Sequence, residues 1–363
     1  MPCLNKPEIP LEYFTDYFNI GSYWYVSFFD IGSISVLENY IPADTLTDIL
    51  KGSITLLLDN SLEAFTDIIE PLYQKYVIEL HIPEENIILL SENADIAAEV
   101  QRVSTLLQLK SIKCKWIRRF ERGVSYRMRY LMPSQTLQYK IYSKKFLNLN
   151  RRWRLHRPTF VAFLKVRKLL HMGYVSLGAC DGASWNSVWD SMLESHRSDP
   201  VLFRELELHE EEIKNLQPMY LDTNDLNTNQ AEAVVSNSSF YLYEDTYFSI
   251  ISETNYYTGT GRFLSEKIFK PVALKHPFLL ISRPFTLQLL KEVGYKTFSP
   301  YINEEYDNET DDIKRMQMIL DETDRLSYLT EQELRDFLNG VREICEFNYA
   351  VLKNKRLFTT DLN

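Results

Sequence analysis

Arginine is concentrated in one short run of the sequence, residues 150–157 (NRRWRLHR). The run holds four arginines and one histidine: Arg151, Arg152, Arg154, Arg157 and His156. A guanidinium group binds phosphate through paired N–H groups, whereas a plain solvated surface is served equally well by lysine. The run therefore predicts an anion site for which a diphosphate is the natural ligand. The alternative is a solvated basic loop.

A second candidate for anion binding is the tripeptide Ser265-Glu266-Lys267. It stands at the predicted start of a helix, where a serine hydroxyl caps free backbone N–H groups and the helix terminus attracts phosphate. Lys267 adds a cation at that position, and Glu266 can accept hydrogen bonds from a ribose diol. The tripeptide alone is weak support, because many helices begin in this way.

Aromatic residues and histidines near these two segments have competing interpretations. Tyr256 and Tyr257, in a loop with Gly259 and Gly261, either stack on a base or sugar and close over a donor, or belong to a plain hairpin or disordered loop. His156 either hydrogen-bonds a phosphate or packs on Trp153. His276 is expected to end a helix as a cation that suits the helix dipole.

Both candidate sites fall at junctions between predicted strands and helices. Apolar runs predict strands at 23–29, 54–58, 87–90, 112–117, 145–149, 173–178, 248–251 and 277–282. Amphipathic periodicity and caps predict helices at 62–80, 94–107, 159–171, 181–195, 201–208, from 265, 286–293, 311–326 and 330–352. The basic segment 122–140 lacks a clean period and is predicted to be a linker and a loop over a cleft.

Strands that alternate with helices predict an α/β fold with parallel sheets and right-handed crossovers. Ligands of such sheets bind at the carboxyl ends of the strands. Asp59 and Glu92 stand at two predicted strand ends and are candidate catalytic bases, although a helix cap or turn is the simpler role for each. We expect domains at 1–140 and 141–335, and a helix in 336–363 long enough to pack back on the first domain.

The sequence around the tripeptide resembles the donor-binding motif of the α1,3-fucosyltransferase family. The resemblance rests on the segments 250–254, 264–273 and 277–281, in which the family has an acidic strand end, a Thr-Glu-Lys helix start and a strand containing proline. Ser265 replaces the usual threonine, and Lys275-His276 replaces the family's Ala-Gly. The whole chain also resembles uncharacterised glycosyltransferase-like proteins of phages and bacteria.

The resemblance implies a GT-B-like fold, with two Rossmann-like domains facing a cleft and a nucleotide sugar as co-substrate. In that family the glutamate and lysine contact the ribose and diphosphate, so these roles would fall on Glu266 and Lys267. Such enzymes stabilise the departing diphosphate with cationic side chains and helix N-termini instead of a metal. The acceptor could be a glycan, a protein or a nucleic acid, and a base such as Asp59 or Glu92 would deprotonate its hydroxyl if the reaction inverts configuration.

Net charge, cysteine spacing and the lengths of apolar runs limit the classes of protein to which this chain could belong. A formal net charge of −10 over 363 residues is not that of a general nucleic-acid binder. Four widely spaced cysteines predict neither a disulfide framework nor a zinc site. No signal peptide or membrane span is predicted, so we expect a soluble cytoplasmic protein, in the host cytoplasm if phage-encoded. The rival hypothesis is a non-catalytic α/β protein that binds a protein or a nucleic acid through Arg118, Arg119 and the run 151–157.

Overall fold

The structure is a computed structural model, and the part of the chain that it describes has several gaps. The described residues are 23–27, 41–60, 67–131, 142–150, 154–178, 182–195, 197, 200–215, 219, 221, 240–258 and 261–355. They form two compact units. Unit 1 contains the described residues up to 119 together with 261–263, and unit 2 contains those from 120 to 258 and from 264 to 355.

Unit 1 is built on a four-stranded parallel sheet in the order β1-β2-β3-β4. Its elements, in chain order, are β1 Tyr23–Ser27, α1 Ala43–Leu50, β2 Thr55–Asn60, α2 Ile69–Leu72 with a π-helical continuation Tyr73–Glu79, β3 Ile87–Ser91, α3 Ile96–Leu106 and β4 Lys113–Trp116. The near-continuous apolar runs of β2 and β3 are typical of strands buried on both faces. Alternate residues serve the two faces: Leu56 and Leu58 join the main core cluster, while Leu57 packs in a smaller one.

Unit 2 contains the second four-stranded parallel sheet, in the order β6-β5-β7-β8. Its strands are β5 Lys144–Asn148, β6 Gly173–Val175, β7 Thr246–Ser252 and β8 Phe278–Ile281. Every residue of β7 and β8 is buried. The α/β class with parallel sheets is therefore confirmed.

Most helices of unit 2 correspond to predicted helices, with differences in length, but the sequence did not predict the helices Arg119–Leu131 and Phe240–Glu244. The helices are α4 Arg119–Leu131, α5 His156–Val166, α6 Gly182–Ser195, α7 Pro200–Asn215, α8 Phe240–Glu244, α9 Glu266–Ala273, α10 Thr286–Glu292, α11 Asp312–Ser327 and α12 Glu331–Asn354. The predicted capping box is present at the start of α12, between Thr330 and Glu333. Helix α7 extends to Asn215, beyond the predicted end at 208.

The strand order in unit 2 places a topological switch point between β5 and β7. The chain passes from β5 outward to β6 and then returns to the other side of β5 to form β7. In open parallel sheets, ligands bind outside the carboxyl ends of the strands at such a reversal. The two segments that follow β5 and β7 contain the predicted anion sites.

The prediction of a linker and loop at 122–140 is wrong over its first part. Residues Arg119–Leu131 form helix α4, and residues 132–141 lie outside the described part of the chain. Val124 and Met128 are buried one helical turn apart. The Tyr295 hydroxyl donates to Glu121 of this helix at 2.7 Å. Frequent arginines and Gly123 obscured that period in the sequence.

The division into units differs from the predicted domain limits. The boundary lies between residues 119 and 120, where the sequence predicted 140. Helix α12 packs against α9 of unit 2, and its described residues belong to that unit. Residues 356–363, the rest of the predicted terminal helix, lie outside the described residues.

Candidate functional site

The candidate site lies in unit 2, at the carboxyl ends of β5 and β7. These strands are parallel neighbours, with Leu147 opposite Ser249 in the register. The chain leaves β5 towards α5 and leaves β7 towards α9. The two strand-to-helix junctions that the sequence singled out therefore lie side by side.

A buried carboxylate organises the junction after β7. Glu253 follows the last residue of β7, and its Oε2 accepts a hydrogen bond from the Ser265 hydroxyl at 2.7 Å and from the Thr254 N–H at 3.0 Å. Its Oε1 accepts a hydrogen bond from the Ser265 N–H at 3.1 Å. Burial in the protein raises the pKa of the Glu253 carboxyl group, whereas the Lys267 ammonium and the Ser265 hydroxyl lower it. The carboxylate thus ties the end of β7 to the residue that caps α9.

Helix α9 begins with a serine cap and a partly exposed lysine. The Ser265 hydroxyl accepts a hydrogen bond from the Lys267 backbone N–H at 3.3 Å, as expected for an N-cap. Lys267 Nζ donates to Ser265 Oγ at 3.0 Å and to Thr254 Oγ1 at 3.3 Å, and it pairs with Glu266 at 3.1 Å. Its side chain is 29% exposed. The cation is therefore held at a helix N-terminus while remaining accessible to an anion.

The junction after β5 is held against the end of β7 by two side chains from the first turn of α5. His156 Nε2 donates to the Glu253 carbonyl oxygen at 2.9 Å. Arg157 Nη2 donates to the carbonyl oxygens of Ser252 and Glu253, at 3.3 Å each. Both side chains are buried. Their hydrogen bonds fix the N-terminus of α5 at the switch point.

Cationic side chains from both junctions affect the pKa of His156. Burial is the main reason that the pKa of His156 lies well below its usual value, and the charges of Arg157, Arg154 and Lys267 lower it further. The imidazole is therefore neutral at physiological pH. The same edge holds the carboxylates of Glu253 and Glu266, so charged groups of both signs from the two junctions meet there.

The structure brings most of the predicted donor residues to this edge. Arg154 precedes α5, while Ser265, Glu266 and Lys267 begin α9. Ser265 is buried, so its role is to cap the helix and hold Glu253, whereas Glu266 and Lys267 keep part of their side chains exposed. Arg151 and Arg152 lie outside the described residues.

The prediction that Tyr256 stacks on a base or sugar needs correction. Its ring is only 3% exposed, stacks on His156 with centroids 5.2 Å apart and contacts the Arg315 guanidinium at 4.4 Å. Its hydroxyl donates to the Asp312 carbonyl oxygen. Arg315, itself fully buried, also donates to the Tyr256 carbonyl oxygen at 2.6 Å. Tyr256 is thus a packing residue beneath the site.

The neighbouring Tyr257 keeps more of its surface in solvent. Its side chain is 36% exposed, and its ring meets those of Tyr256 and His156 edge-on. Of the two tyrosines for which the sequence predicted stacking, Tyr257 is therefore the one with exposed ring surface. Which tyrosine of such a pair turns inward depends on packing that no local pattern encodes.

The prediction that His276 is a cation at a helix end is also wrong. His276 is buried, and burial lowers its pKa to about 4. Its Nδ1 lies 2.9 Å from Ser249 Oγ, and its Nε2 lies 2.9 Å from the Thr246 carbonyl oxygen. Since the carbonyl can only accept, Nε2 carries the proton and the Ser249 hydroxyl donates to Nδ1. His276 is a neutral core residue.

The two candidate bases lie in unit 1, at the carboxyl ends of neighbouring strands. Asp59 is buried near the end of β2, and Glu92 is buried directly after β3. The Tyr25 hydroxyl donates to Asp59 Oδ2, and Arg119 Nη1 lies 3.6 Å from the same oxygen.

The Arg118 guanidinium lies 5.9 Å from the centroid of the Trp116 ring. Arg118 and Arg119, which the rival hypothesis needs on a binding surface, thus have partners within their own unit.

Three polar residues at the ends of β5 and β6 had no individual role predicted from the sequence. Asn148 and Asn150 are buried, and both hydrogen-bond to their neighbours in the sheet, as does Ser176. The available signal was an asparagine on each side of Leu149, at a strand end in an otherwise apolar run. Glu253 carried a similar signal, because an acidic residue directly follows an apolar strand.

Comparison of the chain with protein-family models, curated proteins and solved structures found no match. Within the described ranges, no helix is both long and apolar enough to cross a membrane, and no cluster of three histidine, cysteine, aspartate or glutamate side chains is arranged to hold a metal ion. The functional assignment therefore rests on the residues of the β5–β7 edge.

Proposed function

We propose that the protein is a glycosyltransferase that binds the diphosphate of a nucleotide sugar at the β5–β7 edge of unit 2. One observation carries the proposal: the N-termini of α5 and α9 are both tied to Glu253, the residue that follows β7. His156 and Arg157 of α5 donate to its carbonyl oxygen, and the Ser265 hydroxyl, which also accepts a hydrogen bond from Lys267 Nζ, donates to its carboxylate. This convergence occurs at a topological switch point, where parallel sheets bind nucleotides.

The chemistry of sugar transfer accounts for the cations. When the bond between the sugar and the diphosphate breaks, negative charge grows on the leaving diphosphate. Lys267 at the N-terminus of α9 would neutralise part of that charge. Arg154, with Arg151 and Arg152 of the same run, would neutralise more. By the resemblance, these side chains act in place of a metal, and Glu266 accepts hydrogen bonds from the ribose.

The remaining parts of the proposal come from the resemblance alone. Asp59 or Glu92 would accept the proton of an acceptor hydroxyl in an inverting reaction, and the GT-B-like arrangement of two domains would supply the cleft. Asp59 already pairs with Arg119 and accepts a hydrogen bond from Tyr25. Glu92 is the second candidate base.

The test is calorimetric titration with UDP, GDP and ADP of the unmodified protein and of Lys267→Ala. We expect the unmodified protein to bind at least one nucleotide. The variant should bind it about tenfold to a hundredfold more weakly, because a charged hydrogen-bond partner of the diphosphate is lost.

Lys165→Ala is the matched control. Lys165 is also a partly exposed lysine in an ion pair, 2.9 Å from Glu212. It stands nine residues after His156 in α5, about 14 Å along the helix from the switch point. Its loss should leave nucleotide affinity unchanged. If the unmodified protein binds no nucleotide but binds DNA or RNA in a salt-dependent way, the non-catalytic alternative replaces this proposal.

A further inference from the structure

Asn150, two residues after β5, has a side-chain amide whose orientation is fixed by its neighbours. Its Nδ2 donates to Asn148 Oδ1 at 2.5 Å and to the Ser176 carbonyl oxygen at 3.2 Å. Its backbone N–H donates to Ser176 Oγ at 2.9 Å. Because both acceptors face Nδ2, the oxygen Oδ1 must occupy the opposite side of the amide.

That oxygen is a buried acceptor. Asn150 is 1% exposed, and Oδ1 accepts no hydrogen bond from any residue that the structure describes. A buried acceptor without a donor is unfavourable, and in native proteins such atoms are usually satisfied by a further group. The oxygen lies at the carboxyl edge of the sheet, where parallel sheets bind their ligands.

The support behind Asn150 extends across three strands. Asn148 Nδ2 donates to the Ile250 carbonyl oxygen at 2.7 Å and lies 3.3 Å from Ser252 Oγ, both in β7. The Gly178 N–H, after β6, donates to the Asn150 carbonyl oxygen at 2.9 Å. Because these hydrogen bonds already fix the Asn150 side chain, it loses little conformational entropy when a ligand donates a hydrogen bond to its Oδ1.

The order of groups along the edge indicates which part of a ligand Asn150 would meet. Lys267 and Glu266 follow β7, Arg154 precedes α5, and Asn150 follows β5 on the side of β6, where its backbone N–H and Nδ2 donate to Ser176. A nucleotide sugar has its nucleoside, diphosphate and sugar in the same linear order. With the ribose beside Glu266 and the diphosphate beside Lys267 and Arg154, the sugar falls beside Asn150.

We propose that Asn150 Oδ1 accepts a hydrogen bond from a hydroxyl group of the sugar that is transferred. This inference rests on the proposed function and adds a sugar subsite to it. The subsite takes a hydroxylated, uncharged group, because a neutral amide oxygen accepts from a hydroxyl group and gains nothing from an anion.

The test is to titrate two pairs of ligands, UDP with UDP-glucose and GDP with GDP-mannose, into the unmodified protein and Asn150→Ala. We expect the variant to bind the nucleotide sugar about threefold to tenfold more weakly, the effect of one neutral hydrogen bond, and to bind the matching nucleoside diphosphate as before. Equal changes for both members of a pair, or no change in either, would overturn the inference and leave the proposed function standing. If the unmodified protein binds no nucleotide, both are overturned.

Two further measurements guard against effects of folding. Asn348→Ala truncates another buried asparagine of unit 2, whose amide exchanges hydrogen bonds with the backbone of Lys296 at 2.8 Å, and it should leave both affinities unchanged. Saturation-transfer NMR on the unmodified protein needs no variant. Sugar ring protons should receive saturation comparable to that of the ribose protons, and sugar protons that receive none would overturn the inference.

Discussion

At the scale of single residues, buried polar groups hold the candidate site together. Glu253 receives three hydrogen bonds from Ser265 and Thr254, and its own carbonyl oxygen receives those of His156 and Arg157. Hydrogen bonds to a buried carboxylate compensate for its removal from water. The one residue therefore links the start of α5, the end of β7 and the start of α9.

His276 makes the stability of unit 2 depend on pH. Its pKa is lowered from 6.5 to about 4 by burial, so between these values the unfolded chain binds a proton that the folded chain does not. The contribution of His276 to the free energy of unfolding is therefore fully present above about pH 6.5 and decreases as the pH falls towards 4. The loss between pH 7.5 and 5.0 is about 2 kcal/mol.

The measurement is urea unfolding of the unmodified protein and His276→Gln at both pH values. His156, whose pKa is also lowered, and the buried carboxylates titrate in both proteins, so the difference between the two proteins isolates His276. We expect the variant to be less stable at pH 7.5 but to lose about 2 kcal/mol less on acidification. The same loss in both proteins would contradict the assignment of a neutral, buried imidazole.

Residue types at strand ends were predictable from the sequence, but the direction of side chains was not. Ser265 and Lys267 were identified because helix starts have a local chemical signature. Tyr256 and His276 were misassigned because their burial depends on Arg315, Ser249 and other residues distant in sequence. Local pattern cannot supply such contacts.

At the scale of elements, the caps of α9 and α12 provide a comparison. Thr330 caps α12 at an exposed position, and Thr330→Ala should cost about 1 kcal/mol of the free energy of unfolding. Ser265 caps α9 and also donates to the buried Glu253 carboxylate. Ser265→Ala should therefore cost about 3 kcal/mol, since the carboxylate loses a hydrogen bond as well.

Both losses are measured by urea unfolding at pH 7.5, and each variant serves as the control for the other because both caps lie in unit 2. Equal costs would show that the bond from Ser265 to Glu253 contributes nothing beyond ordinary capping. The site would then lack the support that we describe for Lys267.

Strands were easier to predict than helices because a buried strand of a parallel sheet is a continuous apolar run. The predicted strand 54–58 corresponds to β2, Thr55–Asn60, and 277–282 corresponds to β8, Phe278–Ile281. Helix α4 was missed because its buried face includes Glu121, Arg122 and Ser125 beside Val124 and Met128. A buried face that is half polar does not show the amphipathic pattern.

At the scale of the whole molecule, the sequence predicted alternating strands and helices, and hence two parallel sheets. It could not predict the order of the strands, because neighbours in a sheet are chosen by packing. The order β6-β5-β7-β8 is what brings the segments after β5 and β7 together. The sequence also could not show that residues 261–263 belong to unit 1, because in the chain they lie between β7 and α9 of unit 2. Within unit 1, Arg262 pairs with Asp95 at 2.9 Å.

We propose that a nucleoside diphosphate binds at the β5–β7 edge of unit 2. The most direct test is a crystal structure of the protein with the nucleoside diphosphate that it binds. We expect phosphate oxygens within hydrogen-bond distance, about 2.7–3.2 Å, of Lys267 Nζ and of the Arg154 guanidinium. A diphosphate bound at another edge or surface, with Lys267 still paired only to Glu266, Ser265 and Thr254, would contradict the account.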